Sequence, residues 1–146
     1  SVEGGGCPLR VVFIQREGRR RLANLDEHVA VCNSWRPPAR ARGDGLKVRC
    51  RAHSFKQGLK ANIPLLRKTD VLIGPHGADM TNGLVLHAGA TVVELLPPIM
   101  AGCPCGMYQG QFRAGRHLLH YTASTVNRSA AVRTGAKNTW GTYNSD

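Results

Sequence analysis

Apolar residues gather in short runs at residues 9–15 (LRVVFIQ), 46–50 (LKVRC), 71–73 (VLI) and 91–96 (TVVELL). Runs this short and rich in β-branched side chains predict strands, and their continuous hydrophobicity predicts a sheet covered on both faces. The run at 46–50 is the weakest of the four. Segments with helical spacing lie between them. Asn24, with Glu27 three residues on, predicts an N-cap with its capping-box partner, and Leu25, Val29 and Cys32 form the apolar stripe. Ser54 and Gln57 repeat that spacing ahead of Phe55, Leu59, Ile63 and Leu66, a helix that Pro64 should kink or shorten. A third helix is expected from about Ala78, with Met80, Leu84 and Ala88 on one side and Gly89 placed to stop it. Strands alternating with helices define an α/β fold, a parallel sheet with right-handed crossovers. Beyond Pro97-Pro98 a short helix over 107–116 and a last strand over 118–122 are expected. Residues 34–45, with two prolines and two glycines, read as a surface loop, and the polar stretch 123–146 carries no structural signal.

The length of 146 residues predicts about one domain, here residues 1–122 with a poorly structured extension over 123–146. With 42% hydrophobic and 20% charged residues the chain is globular, not disordered or fibrous. No apolar run approaches the ~18 residues of a membrane span, and no signal-peptide pattern opens the sequence. It begins at Ser1, and the expectation is one domain of a longer protein. The net charge of +11 asks for an anionic partner: nucleic acid, a phosphorylated ligand or a membrane surface. A small basic nucleic-acid-binding domain should interleave aromatic with basic residues, yet aromatics are 5% of the chain and only Trp35 beside Arg36 fits. The charge is also uneven. Eleven of the 20 Lys and Arg residues lie between Arg10 and Arg51, and none lies between Thr69 and Phe112. The expectation is therefore no nucleic-acid partner. Five cysteines leave one unpaired, so one disulfide or none is expected. Cys103 and Cys105, followed by His117 and His120, are spaced too closely for the usual zinc set.

The candidate chemistry lies within residues 70–98 (DVLIGPHGADMTNGLVLHAGATVVELLPP). In open parallel sheets ligands bind beyond the carboxyl ends of the strands, and the turn Gly74-Pro75-His76-Gly77-Ala78 falls there. Gly77 and Ala78 are small enough for a ligand to approach the backbone, and the N–H groups of a helix start attract anions. Thr81 and Asn82 can add hydrogen bonds to a phosphate, and His76 can donate one or transfer a proton. The same turn also suits tight strand-to-helix packing with no ligand at all. Neither G-x-G-x-x-G nor G-x-x-x-x-G-K-[ST] occurs, which disfavours nicotinamide enzymes and ATPases of those types.

GPHGADMTN followed by VLHAGATVVELLPP resembles the C-terminal motif of glycosyltransferase family 61. VVFIQREGRRRLANLDE resembles that family's strand, basic loop and Arg/Asn segment, and SFKQ its S-F-x-Q helix start. The resemblance covers residues 9–98, and more loosely 107–121. Asp79 stands where the family commonly has Gly after H-G-A. The resemblance implies a Rossmann-like sheet with helices on both faces, the C-terminal, donor-binding half of a GT-B enzyme. It implies inverting transfer of a sugar from a UDP-sugar donor to a glycan or glycoprotein acceptor, in the Golgi or endoplasmic reticulum. The partner half would be an N-terminal domain of the same protein. There is no D-x-D triplet, so a metal-independent reaction is expected, with helix N–H groups and cationic side chains holding the diphosphate. Arg16, at the end of the first strand, is the candidate for that contact, with Arg19, Arg20 and Arg21 following in its loop. Glu94 either faces the cleft and accepts ribose hydroxyls, as the resemblance favours, or is paired internally with an Arg or a backbone group. The candidate catalytic base is His76. A non-catalytic domain whose motifs are structural is the remaining alternative.

Overall fold

The computed structural model describes residues 7–17, 21–38, 46–96, 107–115 and 118–124. Its elements run β1 (Leu9–Ile14), α1 (Leu25–Ser34), β2 (Val48–His53), α2 (Leu59–Leu66), β3 (Val71–Pro75), a 3-10 helix (Ala78–Val85), β4 (Thr91–Leu96), α3 (Met107–Gly115) and β5 (Leu119–Ser124). The five strands form one sheet, all parallel, in the order β2-β1-β3-β4-β5. The α/β expectation holds.

The order dictates the layers. From β1 the chain steps one way to β2, and every later crossover steps the other way, so right-handed connections place α1 on one face and the remaining helices on the opposite face. Strand alternation follows suit. Val11, Phe13 and Cys50 meet Leu25, Val29 and Cys32 on the α1 face. Val12, Ile14, Leu72 and Val92 meet Leu66, Met80, Tyr108 and Phe112 on the other, which is the larger core. Leu119 and Tyr121 of β5 point to the α1 face and are more than half exposed.

Several expected boundaries move. Asn24 is left-handed (φ 55°) and its side chain makes no cap bond, so the capping box with Glu27 does not form. The second capping box fails too: α2 starts only at Leu59, after Gly58 at φ 81°. Residues 55–58 form a turn closed by the Gly58 N–H on the Phe55 carbonyl (3.2 Å), and Phe55 is buried ahead of α2 rather than as part of a helical stripe. The Asn62 amide reaches back to the Gly58 carbonyl at 2.7 Å. Pro64 lies inside α2, which ends at Leu66. β2 runs from Val48, not Leu46, because register with β1 pairs Leu9 with Val48 and Ile14 with His53. The third helix is 3-10 and stops at Val85, ahead of Gly89. β5 reaches Ser124, just into the stretch that gave no signal. The Pro97-Pro98 stop, Arg19, Arg20, Cys103, Cys105, His117, residues 39–45 of the loop and residues 125–146 lie outside the described residues.

One disulfide, Cys32–Cys50, ties α1 to β2, with Cα atoms 5.9 Å apart. Beside it, the Asn33 amide donates to the Cys50 carbonyl (3.0 Å) and its carbonyl accepts the Cys50 N–H (2.9 Å). Cys7 is a free, exposed thiol.

Candidate functional site

The strand order reverses direction between β1 and β3, and in doubly wound sheets ligands bind in the crevice beyond that point. Two side chains meet across it. Arg16, two residues past the end of β1, places Nε 3.0 Å from Asp79 Oδ2, in the first turn after β3. The Arg16 side chain is 20% exposed, and its Nη1 is buried with no acceptor among the described residues. A buried guanidinium N–H without an acceptor is costly, and a ligand oxygen would relieve it. Asp79, the departure from the family pattern, is charge-compensated here by Arg16.

Gly77 sits at φ 154°, ψ 175°, a region that is essentially glycine-only. The backbone therefore demands glycine at the middle of H-G-A, whatever ligand approaches it. After Gly77 the chain winds as a 3-10 helix, with Met80 N–H bonded to the Gly77 carbonyl at 2.9 Å. Side chains set that pitch. Thr81 donates its hydroxyl to the Ala78 carbonyl (2.6 Å), and Asn82 donates its amide to the Asp79 carbonyl (2.8 Å). Both acceptors are taken three residues back, in competition with the i→i+4 ladder of an α-helix. The donors of Thr81 and Asn82 thus close the turn rather than reach outward. Ala78 is exposed at its start.

Glu94 is 1% exposed, deep in β4. Both carboxylate oxygens are used: Oε1 by His76 Nδ1, and Oε2 by His120 Nε2 at 2.9 Å. Internal pairing is what the structure shows, with imidazoles as partners in place of an Arg or backbone group. The register explains the contact, since Gly74 pairs with Glu94 and Val92 with His120. The His76 N–H also bonds the Leu95 carbonyl at 2.9 Å, extending the β3–β4 pairing past Pro75. Tyr108 of α3 stands edge-on to the His76 ring at 5.3 Å, and Phe112 lies 5.4 Å from the ring of His120. His120 Nδ1 is buried with no partner among the described residues. Sequence reasoning gave His120 no role. Its signal would have been its place opposite β4, and a weak terminal strand hides that register. The imidazoles bind separate oxygens instead of converging on one point, and no group of three His, Cys, Asp or Glu among the described residues is arranged to hold a metal.

At the opposite end of the sheet a cavity of about 200 Å³ opens among Leu9, Arg10, Arg67, Lys68, Asp70 and His87. Asp70 accepts the Arg10 N–H (2.7 Å) and bonds His87 Nε2 (3.0 Å), which ties β1 to the start of β3 and the turn before β4. These polar groups are engaged in structure.

Fold and strand order together define a doubly wound α/β domain with an Arg16–Asp79 ion pair at its switch point. Residues 6–93 match the family model described as Glycosyltransferase 61, more than half of the chain. The chain belongs to glycosyltransferase family 61. It is similar to two rice proteins (Oryza sativa subsp. japonica). One is the β-1,2-xylosyltransferase XAX1, 32% identical over 95 residues, which cover 65% of this chain and 15% of that protein. The other is the β-1,2-xylosyltransferase XYXT1, 31% identical over 88 residues, covering 60% of this chain and 17% of that protein. The chain thus spans about a sixth of the length of the curated relatives it matches.

Proposed function

We propose that this chain is the donor-binding half of an inverting glycosyltransferase of GT-B architecture, which moves a sugar from a UDP-sugar to a glycan or glycoprotein acceptor. The observation that carries the reading is Arg16, whose buried Nη1 has no acceptor among the described residues, at the switch point next to the turn that opens at Gly77 and Ala78. A diphosphate oxygen suits that N–H, and the first-turn N–H groups after Gly77 suit a second oxygen. With no D-x-D motif in the sequence, these groups take on the charge that develops as UDP departs. Glu94, enclosed behind His76, supports the site from within. In the transfer step the acceptor oxygen attacks the anomeric carbon, UDP leaves with the bonding pair, and His76 is the group in this chain nominated to take the hydroxyl proton. The names of the rice relatives make UDP-xylose the first donor to test. The Cys32–Cys50 disulfide fits an oxidising compartment and hence a secretory-pathway location, Golgi or endoplasmic reticulum.

The test is calorimetric titration of the chain with UDP and with UDP-xylose, repeated on Arg16→Ala. Removing a charge-assisted contact to phosphate should weaken binding about ten- to a hundredfold. A basic nucleic-acid module would instead bind single-stranded oligonucleotides with a steep salt dependence. Oligonucleotide binding of that kind with no response to UDP would overturn the reading.

A further inference from the structure

Cations outnumber carboxylates on one side of the sheet, and the surplus is gathered in one place. Among the described residues outside α1, Glu17 is taken by Lys56, Asp79 by Arg16, Asp70 by His87 and Glu94 by two histidines. Arg10 of β1, Arg49 and Arg51 of β2, and Arg67 and Lys68 after α2 are all exposed, and none forms an ion pair with a described residue. Strand alternation brings them together. Val48 and Cys50 turn to the α1 core, so Arg49 and Arg51 stand on the opposite face, and the register sets Arg10 beside Arg49. Arg10 Nη1 donates to the Lys68 carbonyl (3.2 Å), and Arg10, Arg67 and Lys68 line the cavity at the start of β1 and β3. Arg51 makes one long contact, Nη2 to His53 Nδ1 at 3.4 Å. Like charges side by side on neighbouring strands destabilise a sheet. The chain bears that cost at Arg10 and Arg49, while Asp70 is bonded to the Arg10 backbone N–H and to His87. We propose that this stripe is a docking surface for an acidic polysaccharide acceptor, whose uronate carboxylates lie along β2.

The spread of the charges selects a polymer. Side chains two apart on one strand stand about 7 Å from each other, so the stripe runs along the strand instead of converging on a point. A single small anion does not reach all of it, whereas a chain with an anion on successive units does. The guanidinium fork matches a carboxylate through two parallel bonds. Nucleic acid fits less well, because the exposed aromatic rings are elsewhere: Trp35 ends α1, and Tyr121 points to the α1 face. A membrane surface fits less well too. The Cys32–Cys50 disulfide suits an oxidising compartment, and the anionic leaflet faces the cytoplasm. Direction supplies the link to chemistry. β2 runs parallel to β1 and in register with it, so a polymer along β2 leads to the carboxyl ends of the strands, where Arg16 stands. The inference deepens the glycosyltransferase reading, and rests on it for the polymer's role as acceptor.

The test is calorimetric titration of the whole chain with a galacturonic-acid oligomer. A neutral glucose oligomer of the same length, a single-stranded DNA of matched charge and phosphatidylserine vesicles form the other arms. The acidic oligomer should bind and the neutral one should not. Replacing Arg49 and Arg51 together by Gln should weaken that binding about tenfold. Arg67→Gln with Lys68→Gln, at the other end of the stripe, should weaken it as well. Both pairs are exposed, and the first removes a like-charge contact, so its urea midpoint should match or exceed that of the wild type. Wild-type affinity for the acidic oligomer in both double variants overturns the proposal. So does equal binding of the neutral oligomer, or tighter binding of the DNA or the vesicles. UDP is titrated alongside. Binding of the acidic oligomer without UDP defeats the donor reading and leaves the stripe a glycan-binding surface; binding of UDP without the oligomer overturns the stripe alone.

Discussion

Gly74 shows how closely single residues are fitted around the crevice. A Cβ on it would lie 2.5 Å from Cδ1 of Ile14, a side chain with no exposure and so no room to retreat. Gly74→Ala is expected to cost about 1–3 kcal/mol through overpacking between β1 and β3, read as a lower urea midpoint with unchanged slope. Gly77→Ala should cost a similar amount for a different reason, about 1–3 kcal/mol of backbone strain at φ 154°. Its effect should fall on UDP affinity as well as on stability, because the strained residue starts the turn. At this scale the sequence was partly legible. His76, Gly77 and Arg16 follow from where strands end, and the structure brings Arg16 and Asp79 together. Thr81 and Asn82 are marked by type but not by direction, since a hydroxyl or amide in a first turn can bond outward or back to a carbonyl. Glu94 is visible as an anomaly in an apolar strand. Its partner is not, because His120 is 26 residues away in sequence and adjacent only once β5 finds its register.

Among elements, the strands were easier to place than the helix starts. Runs such as TVVELL declare themselves because β-branched side chains suit a doubly covered sheet, and β4 is Thr91–Leu96 as expected. The capping boxes were misleading because Asn24 and Ser54 meet a common sequence rule without the backbone to use it. Asn24 takes a left-handed conformation, and α2 begins past Ser54, where Gly58 sits at φ 81° and the Asn62 side chain bonds the Gly58 carbonyl. The pitch of the 3-10 helix was hidden for a similar reason: side-chain bonds, not propensity, set it. The disulfide carries the prediction here. Cys32 and Cys50 are 18 residues apart, a loop for which the chain-entropy model gives about 3 kcal/mol. Cys32→Ser should lose about that much in chemical denaturation, and a reducing agent should bring the wild type down to match it.

For the whole molecule, the strand order is the controlling fact. One reversal, between β1 and β3, creates the crevice and also leaves α1 alone on its face among the described residues, with three helices opposite. The alternation of elements in the sequence specifies a parallel sheet, but not which neighbours its strands choose. Only the handedness of the crossovers and the packing of α1 against β1 and β2 decide that. The charge is resolved at this scale too. Residues 10–51 carry +7 of the +11 excess, whereas the turn after β3 has no Lys or Arg of its own and takes Arg16 from the end of β1. A chain that spans about a sixth of its relatives is expected to bind UDP without transferring sugar. Incubation with UDP-xylose and candidate glycan acceptors, followed by mass spectrometry, should show no product; turnover by these 146 residues would refute that expectation.

The carboxamide of Asn33 has a consequence for solubility. β2 is the outermost strand on its side of the sheet, so the N–H and C=O of Cys50 face away from β1 and offer a template for a foreign strand. Asn33 occupies both, acting as one residue's worth of a sixth strand, and the disulfide next to it prevents α1 from swinging clear. Asn33→Ala leaves the crevice untouched, yet it unlocks the sheet for lateral addition, and the expected result is a folded monomer that self-associates as its concentration rises.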